Sequence, residues 1–385
     1  MAAVDDVQHR SGATRLDGTI AEAPLDASMR RRRHDCARLI IMPLGMLALL
    51  GALEGGLVRL GWSLPSTPAL VEFHGPLMVA GFLGTVIGLE RAVALGRLWT
   101  YAAPLASSLG AVALAAGVPG GAWLMTLGSA VMVLVFAQIL KRQMALFTTV
   151  MALGAVSWLA GQILWLAGWR LHRVVFWWAG FLVLTIAGER LELTRLLHLG
   201  AKSHAALLIV IIALLVGLAL TSIVPDVGIR FTGVALMTLA VWFGIFDIAR
   251  RTVRTAGLTR FIAVALLSGY LWLGVAGLFA LWSGDVSAGP QYDAVLHALF
   301  LGFAFSLIFG HAPIILPAVL GLGVAYRPAF YVHLGMLHAS LALRVFGDVV
   351  PWLPARQWGG LLNALAIVIF LANTAYGVLG PRPPR

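Results

Sequence analysis

Five histidines sit inside stretches apolar enough to occupy a bilayer: His74, His297, His311, His333 and His338. Ionisable groups at membrane depth are costly, face the bundle interior and mark functional sites. The plainer role of such a histidine is an interhelical hydrogen bond. Five concentrated in three apolar runs favour a binding function. A neutral imidazole is a metal ligand and a proton carrier, and both chemistries are open to these residues. The single cysteine, Cys36, precedes the first apolar run, so neither a disulfide framework nor a thiolate cluster is available.

Depth sorts the five. His74 lies about four residues into its run and His297 about six into its own. At 1.5 Å per residue these differ by about 3 Å along the normal. Two neutral imidazoles at one level on facing helices suit a metal ligated from opposite sides, and a six-coordinate haem needs two such ligands and an apolar slot. From His74 the helical spacing runs through Met78, Gly81, Thr85 and Gly88. That small-residue stripe offers room for a flat macrocycle or for a closely packed helix. From His297 the same spacing leads to His311, about 21 Å along the axis, too far to share one metal. His311 and His333 form an expected inner pair, with His338 joining either site or serving as a proton-relay or structural residue. Pro313 and Pro317 are expected to kink or end the helix beside His311. Among the carboxylates, Glu72 lies close enough in sequence to His74 to act as a supporting acceptor. Glu90 and Glu189, each followed by Arg, stand at helix ends as interfacial ion pairs or proton entry points.

These residues need long apolar elements to hold them. The chain of 385 residues is 60% hydrophobic and 11% charged. Soluble domains run near 45–50% and 25%, so the composition specifies an all-α, polytopic membrane protein. Twelve apolar runs follow one another, at about 37–60, 70–91, 99–117, 120–141, 145–168, 172–192, 203–224, 228–250, 259–283, 291–318, 327–347 and 357–380. Most are near the roughly 20 residues that cross the hydrocarbon core. Residues 1–36 are polar and aperiodic and read as a disordered cytoplasmic tail, with 381–385 as a second short one. Of the 27 Lys and Arg, 21 fall on the side of the two termini and 6, Arg344 among them, on the other. This places both termini in the cytoplasm. It also accounts for the formal charge of +11, so nucleic acid is not an expected partner.

One phrase recurs. "GFLGTVIGLER" begins at Gly81, "GFLVLTIAGER" at Gly180 and "GFAFSLIFGHA" at Gly302. All three share Gly-Phe and an Ile six residues after the Gly. The first two end in Glu-Arg, where the third has His311 and Ala312. The runs that carry them are four apart and cross in the same direction. This predicts three pseudo-repeated four-helix units around an axis along the membrane normal.

Twelve helices in three quasi-repeats, with a His-Gly near the outer end of the second and a His in the tenth, resemble the catalytic subunit of haem-copper oxidases and nitric oxide reductases. Closer still is the resemblance to the NnrS family of haem- and copper-containing membrane proteins. It rests on "FHGPLMVAGFLGTVIG" (73–88), "FLVLTIAGERLELTRL" (181–196) and "HALFLGFAFSLIFGHA" (297–312). The resemblance implies a bacterial inner-membrane protein of nitric oxide, nitrosative-stress or respiratory metabolism. It implies His74 and His297 as bis-histidine haem ligands, with His311, His333 and His338 as ligands of copper or a second haem. It also implies electrons from a partner protein or respiratory complex, in a haem-dependent oxidoreductase. Two departures are plain. Gly75-Pro76 stands where the family has a His-x-His-Glu cluster, and the sixth run embeds no histidine. Both speak against a three-histidine copper site and against oxygen reduction. The alternative is a non-haem transporter or a proton or metal-ion channel using the same histidines.

Overall fold

The computed structural model describes residues 24–380 apart from His198, with side-chain surroundings given from His34 onward, Leu196 excepted. Residues 1–23 and 381–385 of the two expected tails lie outside the described residues. No strand occurs among the described residues. Among the described residues, eleven helices are long and apolar enough to cross a membrane: α1 (Pro24–Arg59, its apolar span His34–Arg59), α2 (His74–Leu95), α3 (Leu98–Ala115), α4 (Gly121–Arg142), α5 (Leu146–Leu166), α6 (Leu171–Thr194), α7 (Ala201–Ile223), α8 (Pro225–Phe246), α9 (Gly257–Ser283), α10 (Pro290–Leu320) and α12 (Leu353–Leu379). Between the last two lies α11 (Phe330–Val349), which carries His333, His338, Arg344 and Asp348 and falls outside that group. The chain is a multi-pass membrane protein.

Large side chains such as Leu47, Trp123, Leu134, Ile209, Val241 and Leu271 are exposed around the outside, as a lipid-facing surface requires. The interior belongs to the three helices that carry the repeated phrase. Their apolar windows are 67%, 72% and 72% buried for α2, α6 and α10, against at most 56% in the other eight.

Local chemistry sets the helix limits. The Thr67 hydroxyl accepts from the Leu70 amide at the start of a short helix, Pro68–Glu72, which leads into α2. Proline stands in the first turn of α8, α10 and α12, where its missing N–H costs nothing. Gly96 and Gly321 end α2 and α10 with φ +63° and +71°, a left-handed conformation that side-chain-bearing residues resist. Two expectations need correction. Residues 24–36, expected to be disordered, are helical from Pro24 on. Of the two outcomes expected at Pro313 and Pro317, a kink or an end, the end does not occur, since α10 continues to Leu320. Membrane helices tolerate proline where neighbours and local adjustment satisfy the freed backbone groups.

Both α2 and α10 change winding just after their outermost histidine. Leu77–Leu83 and Ala298–Phe305 are π-helical. Bonding from i to i+5 widens the turn and rotates every side chain beyond it. The two wide segments meet, with Phe82 stacked on Phe305 at 5.9 Å between centroids.

Candidate functional site

His74 opens α2 directly after the bend at Phe73. Its Nδ1 donates to the Ala52 carbonyl of α1 at 2.5 Å. The ring lies against Gly56, where a methyl group would come within 2.8 Å of Cε1. The sequence therefore holds this imidazole with a carbonyl on one side and an obligatory gap on the other. His297 closes the first, α-helical part of α10. Its Nδ1 donates to the Asp293 carbonyl one turn back at 2.9 Å and lies 3.3 Å from the Asp293 carboxylate. That carboxylate is gripped by both arms of Arg344 from α11, at 2.7 and 2.8 Å.

The two histidines line one cavity of about 300 Å³, together with Arg59, Met78, Trp178, Tyr292, Asp293, Phe300, Leu301, Arg344 and Arg356. This size is at the lower end of small-molecule pockets, and the mixture of apolar wall and few polar groups is typical of them. With each Nδ1–H committed to a carbonyl, each ring keeps Nε2 as its lone-pair nitrogen. Fixing the tautomer through Nδ1 is how proteins prepare an imidazole as a ligand. The donor set thus fits a group ligated by two neutral histidines. Glu72 lines the same cavity but is exposed, and the acceptor it was expected to supply to His74 is the Ala52 carbonyl instead. Two residues apart on one chain, the carboxylate and the ring do not face each other.

The small-residue stripe of α2 does not line this cavity below Met78. A methyl on Gly81 would meet Ala111 and Ala48 at 2.8 and 3.2 Å, and one on Gly88 would meet Pro104 at 3.3 Å. The glycines seat α1 and α3 against α2. The wide turn at Leu77–Leu83 is the physical reason, because it breaks the α-helical spacing on which the stripe was drawn.

The other three histidines are held by separate neighbours. His311 donates from Nδ1 to the Leu307 carbonyl at 2.7 Å, and its Nε2 accepts from Arg190 at 2.9 Å. His338 accepts at Nδ1 from the Trp272 indole at 3.0 Å and reaches Ser306 Oγ at 3.4 Å through Nε2. His333 is fully buried and accepts at Nδ1 from Asn373 at 3.1 Å. Its ring sits among Phe309, Phe330 and Phe370, the nearest centroid 4.9 Å away. The expected inner pair, His311 and His333, is thus held by different partners, Arg190 and Asn373. No group of three or more His, Cys, Asp or Glu stands ready for a metal ion among the described residues.

At the opposite end of α2 from His74, Arg91 is bonded to Glu189 of α6, with Glu90 at 3.5 Å. Both expected carboxylates thus share one guanidinium.

A model described as a domain of unknown function (DUF8744) matches residues 38–379. The chain belongs to that family. No curated protein and no solved structure matches it. The DUF8744 match spans both the cavity and the Arg91–Glu189 cluster.

Sequence reasoning missed Asp293 and Arg344, which position His297. The signal was present in part. Asp293 precedes His297 by four residues, and Arg344 interrupts an apolar run. Counted among the residues of the outer side, Arg344 is only 6% exposed, because Asp293 gives it a partner inside the protein.

Proposed function

We propose that this DUF8744 chain is a twelve-helix haem protein of the bacterial inner membrane, with α11 as the twelfth span and both termini cytoplasmic. His74 and His297 would hold one haem between α2 and α10, near the periplasmic face. The single observation that carries the reading is the pair of imidazoles on one cavity, each with Nδ1 tied to a carbonyl and Nε2 uncommitted. Arg59 and Arg356 on the cavity wall would accommodate anionic edges of such a group. The haem would supply a redox-active iron. The chain supplies ligand orientation, through Ala52, Gly56, Asp293 and Arg344, and an apolar surround.

The three copies of the repeated phrase support three four-helix units about a common axis. Their helices are the most buried, and contacts at their ends run from one copy to the next. Together with the resemblance to the NnrS family, this favours a role in nitric oxide handling or respiration, with electrons delivered by a partner in the membrane. The three remaining histidines we assign to helix packing.

The test is the optical spectrum of protein purified after expression with haem supply. A Soret band with low-spin features is expected, and His74→Ala and His297→Ala should each abolish the low-spin signal. Absence of any bound haem in folded protein overturns the reading and turns attention to a transporter using the same cavity.

A further inference from the structure

Arg356, Gly360, Asn363, Ala364 and Ile367 follow one another at helical spacing along the face of α12 that lines the cavity. Asn363 is 2% exposed. Its amide nitrogen donates to Ser340 Oγ at 2.6 Å and to the Leu337 carbonyl at 3.3 Å, both on α11. Ser340 gives its own proton to the Met336 carbonyl at 2.6 Å, so it accepts from Asn363. These bonds fix the amide, because turning it over would set Oδ1 against the Leu337 carbonyl. Oδ1 is left buried without a hydrogen-bond partner in the protein.

Asn363 also shares a level with His297. Arg344 meets Asp293 and His338 meets Ser306, so α10 runs antiparallel to α11. On α12, a methyl on Gly360 would stand 3.2 Å from the Arg344 guanidinium, and Asn363 meets Ser340, so α12 is antiparallel to α11 as well. One turn on from the layer of Asp293, Arg344 and Gly360, the next layer therefore holds His297, Ser340 and Asn363. Trp178 Nε1, on the same cavity, is bare too. It lies against α5, where a methyl on Gly161 would come within 2.8 Å of it.

A buried acceptor left bare is rare, and on a cavity wall it calls for a donor on the group that fills the cavity. Arg59, Arg344 and Arg356 outnumber the carboxylates Asp293 and Glu72 on that wall, which disfavours a cationic donor. A hydroxyl fits. We propose that Asn363 is a specificity-determining contact of this site, and that the bound haem carries on its edge a hydroxyl that donates to Asn363 Oδ1. This rests on the haem reading above and adds the substituent that the chain selects. An edge of methyl, vinyl and carboxylate groups offers no donor and leaves the oxygen bare. A site built to bond a hydroxyl discriminates against the analogue that lacks it.

Titration of the full chain, purified without haem supply, with two haems tests this. Protohaem carries vinyl groups on its edge, and haematohaem carries hydroxyethyl groups in their place. The Soret band reports binding of each. Wild-type protein should bind haematohaem more tightly, on the order of tenfold, the scale of one net hydrogen bond. Asn363→Leu should abolish that preference, whatever it does to the two affinities themselves. Equal wild-type affinities overturn the proposal and leave Asn363 to a water molecule. A preference that survives in Asn363→Leu overturns it as well, since the hydroxyl is then read elsewhere. If the variant fails to fold, the wild-type ratio decides alone. Failure of both haems to bind removes the haem reading itself, an outcome distinct from equal binding of the two.

Discussion

Arg190 of α6 donates to Nε2 of His311 on α10 across 2.9 Å, and this occupies the nitrogen that a metal would need. The contact has a counterpart one repeat earlier, where Arg91 of α2 is bonded to Glu189 of α6. In the aligned phrase Arg91 and Arg190 are equivalent, as are Glu189 and His311. Each copy's arginine thus grips the next copy's acceptor. His311→Leu should cost about 2 kcal/mol, the scale for a lost hydrogen bond to a buried charged group. His311→Glu, which restores the acceptor of the other copies, should recover most of it. Thermal unfolding in detergent reads both, and neither change should alter the low-spin spectrum. Loss of bound metal in His311→Glu would instead make His311 a ligand.

In the proposed arrangement of three units, the third joint would lack its donor. Ala312 stands where the other copies have arginine, and Glu90, the acceptor it would face, has Arg91 of its own helix at 3.5 Å. Ala312→Arg should therefore raise stability by about 0.5 kcal/mol, a modest gain because Glu90 is partly solvated. The gain should vanish in a Glu90→Gln background. A double-mutant cycle on unfolding midpoints measures it, and equal effects in both backgrounds would refute the ring.

Gly56 is where the α1 backbone meets His74, the proposed haem ligand. A methyl there would stand 2.8 Å from His74 Cε1, so Gly56→Ala must turn the ring or push α1 away. Haem content should fall while the helical fold persists. Gly335→Ala is the control, since nothing lies within 4 Å of the added methyl and alanine favours a helix by up to about 1 kcal/mol. Pyridine haemochrome assays on the two variants should separate sharply. Equal haem content would remove His74 from the site.

Much of the architecture was legible in the sequence because its causes are local or periodic. Apolar runs of spanning length gave the helices, and counting residues from their ends put His74 and His297 at one depth. The phrase shared by α2, α6 and α10 singled out the three most buried helices. The π-helical turns at Leu77–Leu83 and Ala298–Phe305 left no trace, since widening a turn changes neither length nor composition. They rotate the side chains beyond them, and Gly81 and Gly88 consequently seat neighbouring helices rather than line the cavity. The bonds from Arg190 to His311 and from Arg344 to Asp293 cross 121 and 51 residues of sequence, and spacing carries no information over such separations.

Arg344 supplies the most exacting test of how His297 is held. Its guanidinium meets Asp293 with two bonds, at 2.7 and 2.8 Å, and Asp293 in turn lies against His297. Arg344→Met would leave the carboxylate enclosed and deprived of its cation. Removing one partner of a buried pair costs about 3–5 kcal/mol, whereas replacing both by apolar groups is often close to neutral. Asp293→Leu with Arg344→Met should therefore be more stable than Arg344→Met alone. The His297 ring would still donate to the residue-293 backbone carbonyl in that double variant, so a low-spin haem signal should persist. Unfolding midpoints report the first expectation and the optical spectrum the second. A double variant that is stable yet has lost its low-spin band would mean that the Asp293 carboxylate, rather than the carbonyl, orients the ligand.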